Sequence, residues 1–398
     1  MAKIALLGFG VVGGGVAEIL LQNSELVKKS AGEDVEIKYI LDKRDFFGTD
    51  WQDKVVKDID IILNDSEVSV VCEMLGGVSP AYEFTLAAIR SGKSVVTSNK
   101  AVVAEKGPEL FREAEKAGVH YLYEASVGGG IPIIHAMNSS LSSCEIYGIN
   151  GILNGTTNYI LTRMSEGEDY KSALSRAQEL GYAEKDPTAD VSGIDACRKI
   201  CILTATAHGV LCDCERVYCR GIDDITDEEK ALAEALGGVI KLVAAFKLHS
   251  QGYALTVQPT VAMRTSPLSS VSDVYNAVEV DASFLGRVMF YGRGAGRAPT
   301  ASAVVSDIVD IVAGVAPENP VWKEEEALDY ALYVKDSYSV SADLSRDKVR
   351  ELFGEKADVY SCSSDGSKCY FTVGDVTRAE LEDKLSGIKC HAVMRAVN

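Results

Sequence analysis

The chain has 398 residues, beyond the size at which one hydrophobic core stops growing, so two or three domains are expected. With 47% hydrophobic and 25% charged residues it has the make-up of a folded globular protein with a substantial core. Forty Lys and Arg stand against 58 Asp and Glu, a formal charge of -18 that repels nucleic-acid phosphates and anionic lipid, so no nucleic-acid and no membrane partner is expected. Ten cysteines without a secretory leader ahead of them read as reduced thiols of a cytoplasmic protein. No uncharged apolar stretch approaches the roughly 18 residues that span a bilayer.

The first apolar run, 3–7, meets the turn GFGVVGGG and then the helical pattern VAEILLQN: strand, Gly-rich turn, helix. A second strand is expected at 35–41, with Asp42, Lys43 and Arg44 at its end. Further apolar runs at 59–63, 68–72 and 94–97 read as strands, alternating with helical stretches such as AYEFTLAAIRSG. That alternation predicts an α/β domain with a Rossmann-type, doubly wound parallel sheet over 1–125.

Near residue 124 the texture changes, and 126–295 is expected to form a second, α+β domain for catalysis, substrate binding and dimerisation. Its expected elements are a strand at 144–153, helices at 159–167, 171–180 and 193–210, and strands at 239–248, 253–262 and 286–291. The apolar helix at 300–316 is expected to return, within 296–320, to the nucleotide domain. Residues 328–398 read as βαββαβ, a small separate ferredoxin-like domain whose first strand is YALYVKD.

Gly8-Phe9-Gly10-Val11-Val12-Gly13 matches GxGxxG after a strand and before a helix, where glycines permit a tight turn, close approach of a pyrophosphate and helix-strand packing. Asp42 is placed to accept the ribose hydroxyls of NAD, whereas Lys43 and Arg44 suit the 2′-phosphate of NADP, so either cofactor is open. Asp195 and Lys199 lie four apart on an otherwise apolar helix and share a face. Charges on such a helix are expected to face a cleft. The bland alternative is an exposed i,i+4 ion pair contributing about 0.3–0.5 kcal/mol. His208, Cys212, Cys214 and Cys219 fit no standard zinc spacing and read as core residues.

The stretch GYAEKDPTADVSGIDACRKICILTATA, 181–207, resembles the signature region of homoserine dehydrogenases. VVCEMLGGVSPA, VVTSNKAVVA, YEASVGGGIPII, NGILNGTTNYILTRM and GRGAGRAPTASAVVSDI resemble further blocks of that family in the same order, over roughly residues 3–318. No aspartokinase-like segment precedes the Gly-rich turn, so the monofunctional form is expected. The resemblance implies NAD(P)H-dependent, reversible reduction of L-aspartate 4-semialdehyde to L-homoserine. Lys199 would be the proton donor, tuned by Asp195, with Lys100 beside nicotinamide and substrate. Glu184 and Asp190 would hold the substrate ammonium, and Asp186 would cap the following helix.

The resemblance further implies a monovalent-cation loop with ligands at Glu124, Val127, Gly129 and Ile131, suited to sodium, and closure of Gly294 over the nicotinamide end. The C-terminal domain resembles an ACT domain but carries Asp336-Ser-Tyr-Ser where such sites commonly have Asp-x-Pro-Gly, which favours an interaction role over effector binding. A homodimer or higher homo-oligomer is expected. The rival readings are a related amino-acid or semialdehyde dehydrogenase and a non-catalytic dinucleotide-binding sensor.

Overall fold

The first apolar run forms β1 (Ala2–Leu7), fully buried from Ile4 to Leu7, and the Gly-rich turn behind it opens α1 (Val11–Gln22). The computed structural model describes all of residues 1–398. These fall into two units: Met1–Cys144 with Cys201–Cys212 and Gly292–Glu325, and Glu145–Ile200 with Asp213–Tyr291 and Glu326–Asn398.

In the first unit α2 (Ser24–Ala31), β2 (Val35–Leu41), β3 (Val55–Val56), α3 (Asp60–Leu63), β4 (Val68–Glu73), α4 (Ala81–Arg90), β5 (Ser94–Thr97), α5 (Lys100–Ala117), β6 (Tyr121–Leu122) and α6 (Ile133–Asn138) follow. The six strands are parallel in the order β3-β2-β1-β4-β5-β6, a Rossmann sheet whose direction of winding reverses between β1 and β4. Residues 59–63, expected as a strand, supply α3 instead. Asp58 Oδ1 accepts the N–H of Asp60 and starts a helical turn, and a short apolar run suits either state.

The chain continues through β7 (Ile146–Ile152), α7 (Gly155–Ser165), α8 (Tyr170–Glu179), α9 (Thr188–Val191), α10 (Ile194–His208), β8 (Val210–Cys212), β9 (Tyr218–Cys219) and α11 (Asp227–Ala235). Next come β10 (Val239–His249), β11 (Gly252–Ala262), β12 (Tyr275–Ala282), β13 (Gly286–Arg293), α12 (Arg297–Val312), β14 (Lys323–Glu325), β15 (Leu328–Asp329) and α13 (Tyr330–Tyr333). The last elements are β16 (Asp336–Ala342), α14 (Arg346–Phe353), β17 (Ala357–Cys362), β18 (Cys369–Val376), α15 (Arg378–Lys384) and β19 (Cys390–Val397).

Within the first unit α12 packs on α1: a Cβ on Gly15 would stand 2.8 Å from the Arg297 carbonyl oxygen and 2.9 Å from Ala301 Cβ. Val304 and Ile308 join Ile4, Leu6, Val16 and Leu20 in one buried cluster. The second unit is built on a sheet of order β13-β12-β7-β10-β11-β19-β16-β18-β17, with β9 and β15 also paired to β11.

Its last four strands take the order β19-β16-β18-β17, the ferredoxin-like arrangement. The expected separate domain is not a separate sheet, because Arg395, Ala396 and Val397 of β19 pair in parallel with Thr260, Val261 and Ala262 of β11. Its first strand begins at Asp336 rather than Tyr330, since Asp329 Oδ1 caps the short helix α13 through the Ala331 N–H. Cys362 and Cys369, expected as thiols, form a disulfide. They stand opposite one another on antiparallel β17 and β18 with Cα atoms 4.1 Å apart, within bridging reach. No helix is long and apolar enough to cross a membrane.

Candidate active site

Gly8 closes β1 with φ +93°, and a Cβ on Gly13 would lie 2.3 Å from the Gly8 carbonyl oxygen, so this turn and helix pack at backbone contact. No side chain caps the first amides of α1, and no atom lies within 4 Å of where a Cβ on Gly10 would stand. The turn formed by Gly8, Phe9, Gly10, Val11, Val12 and Gly13 is therefore open at its exposed residues Gly10 and Val11, where a pyrophosphate would meet the first amides of the helix, and its residues fit a dinucleotide.

Asp42, at the end of β2, already has partners. Its Oδ2 accepts the Phe9 N–H at 2.9 Å and its Oδ1 accepts the N–H and Nε of Arg44 at 2.9 and 3.0 Å. The Arg44 side chain, with these backbone N–H groups, holds the carboxyl well below the usual carboxylate range. Arg44 itself is exposed, as is Lys43. Lys57, which sequence reasoning missed, donates to the carbonyl oxygens of Asp42, Lys43 and Arg44 at 2.8–3.2 Å.

Lys100 is half-buried at the first position of α5, on the carboxyl side of the parallel sheet. Asn99 before it caps the helix, accepting from Ala101 and Val102, and its Nδ2 donates to the Gly77 carbonyl at 2.7 Å and to Glu73 at 3.4 Å. Glu73 is fully buried at the end of β4 and accepts Thr97 Oγ1 at 2.6 Å and the Leu75 N–H at 2.7 Å. Burial pushes its carboxyl up to about 7 against those hydrogen bonds.

Glu124 is buried, and its two oxygens accept the N–H groups of Ile134 and His135 at the start of α6. His135 Nε2 lies 3.1 Å from both Asp307 and Asp310, whose hydrogen bonds raise the ring to about 10. In the same loop the Ile131 carbonyl accepts the Ile133 N–H, Val127 is buried, and a Cβ on Gly129 would stand 2.5 Å from the carbonyl oxygen of Gly294. The two glycine segments are in backbone contact.

In the second unit Lys199 and Asp195 are both buried, at 7% and 3% exposure. Lys199 Nζ donates to Asp195 Oδ2 and to the Leu153 carbonyl, each at 2.7 Å. The exposed ion pair considered above is excluded by this burial. Asp190 is half-buried and accepts Asn154 Nδ2 at 2.8 Å, and the same nitrogen donates to Asp195 Oδ2 at 2.9 Å. Glu184 is exposed in the preceding loop, and Asp186 accepts from the N–H and hydroxyl of Thr188 at the start of α9. Leu153 and Asn154 were missed from sequence: any residue offers a carbonyl, and an Asn before Gly-Thr-Thr reads only as a turn or cap.

A Gly-rich turn between a strand and a helix of a parallel sheet, carried by the same chain as a buried lysine paired with an aspartate, is the equipment of an NAD(P)-dependent oxidoreductase. Residues 132–309 match the family described as Homoserine dehydrogenase, and residues 8–124 match Homoserine dehydrogenase, NAD binding domain. The chain is 46% identical over 332 residues to the homoserine dehydrogenase of Synechocystis sp., covering 80% of this chain and 75% of that one. Its fold is similar to a homoserine dehydrogenase from Thiobacillus denitrificans, with TM-score 0.87, 31% identity and coverage of 100% and 98% of the two chains. A hyperthermophilic archaeal homoserine dehydrogenase in complex with NADPH is similar at TM-score 0.69 and 27% identity, over 80% of this chain and 99% of that one. The chain belongs to the homoserine dehydrogenase family. Its activity is the NAD(P)H-dependent reduction of L-aspartate 4-semialdehyde to L-homoserine.

Proposed function

We propose that Lys199 is the proton donor of this reduction and Asp195 its orienting partner. The observation that carries the reading is the burial of both groups in one hydrogen-bonded pair, with the Lys199 ammonium also held by the Leu153 carbonyl. A buried ion pair is weak evidence for stability, so its retention on an apolar helix points to chemistry. When bound, the dihydronicotinamide supplies the hydride that turns the aldehyde carbon into an alcohol carbon. Lys199 stabilises negative charge growing on the carbonyl oxygen and then gives it a proton; in the oxidative direction it takes that proton back. Glu184 and Asp190 hold the substrate ammonium. Loss of turnover in Lys199→Ala at 340 nm, with dinucleotide binding retained, tests the assignment.

The cofactor is NADPH in preference to NADH. The Asp42 carboxylate that would accept ribose hydroxyls is already engaged by Phe9 and Arg44, while Arg44 and Lys43 are exposed cations for a 2′-phosphate. The archaeal relative with NADPH supports the same preference. The set Glu124, Val127, Gly129 and Ile131 fits a sodium ion poorly, because both Glu124 oxygens accept N–H groups of α6 and burial pushes its carboxyl up to about 7, towards the neutral form. No step is assigned to a metal.

The C-terminal ACT-like elements are structural rather than sensing. Asp336, where an effector loop is expected, instead accepts Tyr330 Oη at 2.8 Å and Arg395 Nε at 2.6 Å. The enzyme works as a homo-oligomer, supported by apolar side chains exposed on and beside the edge strand β13: Phe284, Leu285, Met289 and Tyr291.

A further inference from the structure

We infer that Asn154 is a positioning residue for the reaction, one amide that holds Asp190 and Asp195 together and so sets the carboxylate against which Lys199 is poised. The inference rests on the assignment of Lys199 and Asp195 given above.

Asn154 is buried and stands at the N-cap of α7 with extended backbone. Its Oδ1 accepts the Thr157 N–H at 2.8 Å, the ordinary work of a cap, and the Thr157 hydroxyl at 3.1 Å. That bond fixes which end of the amide is which: with oxygen turned to the helix, the NH2 must face the other way. There it meets Asp190 Oδ1 at 2.8 Å and Asp195 Oδ2 at 2.9 Å, one hydrogen for each carboxylate.

Among the residues that cap helices well, only Asn can do both tasks. Ser and Thr cap, yet have one hydroxyl hydrogen for two carboxylates. Asp caps, yet has no hydrogen when ionised and would place a third negative charge beside two others. The residue before it completes the arrangement, since the Leu153 carbonyl takes the Lys199 ammonium at 2.7 Å. Two consecutive residues at the junction of β7 and α7 thus grip both members of the pair, Leu153 the ammonium and Asn154 the carboxylate.

The consequence is chemical as well as mechanical. A donor such as the Asn154 amide favours the charged form of a carboxylate, and it fixes the oxygen that Lys199 shares. A carboxylate in place of that donor would hold the lysine proton more tightly.

The test uses the full-length enzyme in the oxidative direction, where the proposed mechanism needs a neutral Lys199 to accept a proton and activity is therefore expected to rise with pH. Asn154→Ser retains a capping oxygen but withdraws the amide donors from two carboxylates, so its melting temperature should fall by only a few degrees and its KM for the dinucleotide should stay near wild type. Its kcat should fall on the order of 10- to 100-fold through misplacement of Asp195. Asn154→Asp should displace the rising limb of the kcat profile upward by about one pH unit or more. Wild-type kcat and an unmoved limb in both variants would overturn the inference; if the serine variant does not fold, an unmoved limb in the aspartate variant does so alone. Lys199→Ala and Asp195→Asn run alongside. If these keep turnover, the proton-donor assignment falls; if they lose it while the Asn154 variants are unaffected, only the positioning role falls.

Discussion

Asp195 Oδ2 and Lys199 Nζ lie 2.7 Å apart, one helical turn from each other and both shielded from solvent. Removing either partner leaves the other as an uncompensated buried group. Asp195→Ala is therefore expected to lower the unfolding free energy by about 3–5 kcal/mol in denaturant melts, in addition to its effect on turnover. A loss below about 1 kcal/mol, the range of exposed pairs, would mean that the pair is solvated in solution.

Arg44 is bound to Asp42 through its backbone N–H and two guanidinium nitrogens. With the guanidinium as the phosphate ligand, Arg44→Ala is expected to raise KM for NADPH by roughly 10-fold or more, the value of one charge-assisted hydrogen bond of about 1.5–3 kcal/mol. KM for NADH should change much less, and equal changes for the two cofactors would contradict the NADP preference. Steady-state kinetics with each cofactor decides it.

Glu73 titrates near 7 when folded, raised by burial from an ordinary value of 4.5. The folded state thus binds a proton that the unfolded chain releases, and the associated stability is complete below pH 4.5 and lost as pH rises through 7. Glu73→Gln keeps the acceptor for Thr97 and carries no charge. Relative to wild type it should gain about 3 kcal/mol of stability between pH 4.5 and 7.5. Thermal melts of both proteins across that interval check the sign; a constant difference would show that Glu73 has an ordinary pKa.

Arg395 is the largest fully buried side chain, bonded to Asp336 at 2.6 Å and to Asn150 of β7 at 2.7 Å. Arg395→Ala strands the Asp336 carboxylate and should destabilise the chain by about 3–5 kcal/mol. Arg395→Met with Asp336→Asn, which removes both charges, should recover part of that loss. Chemical denaturation of the single and double variants measures the coupling, and additive losses would dissolve the pair.

Strands with dense β-branched runs between turn residues were legible at their ends: 35–41 and 94–97 are the observed bounds of β2 and β5. β12 was not, because Glu279 and Asp281 interrupt its apolar run, although both are buried. α3 and α13 are single turns whose start depends on one aspartate, a signal weaker than the apolar pattern that suggested strands. The i,i+4 spacing of Asp195 and Lys199 predicted a shared face, whereas their burial and their Leu153 and Asn154 partners depend on where β7 ends. Likewise Asp42 was visible at its strand end, but not that Phe9 and Arg44 engage its carboxylate, since loop hydrogen bonds follow from tertiary placement.

The central claim is that the Lys199 ammonium supplies the proton. The most direct test is single-turnover oxidation of NADPH by aspartate semialdehyde, followed at 340 nm, in Lys199→Ala whose NADPH affinity has been confirmed by fluorescence titration. A rate on the order of 10²- to 10⁴-fold below wild type with unchanged affinity is predicted. A rate within a few-fold of wild type would contradict it.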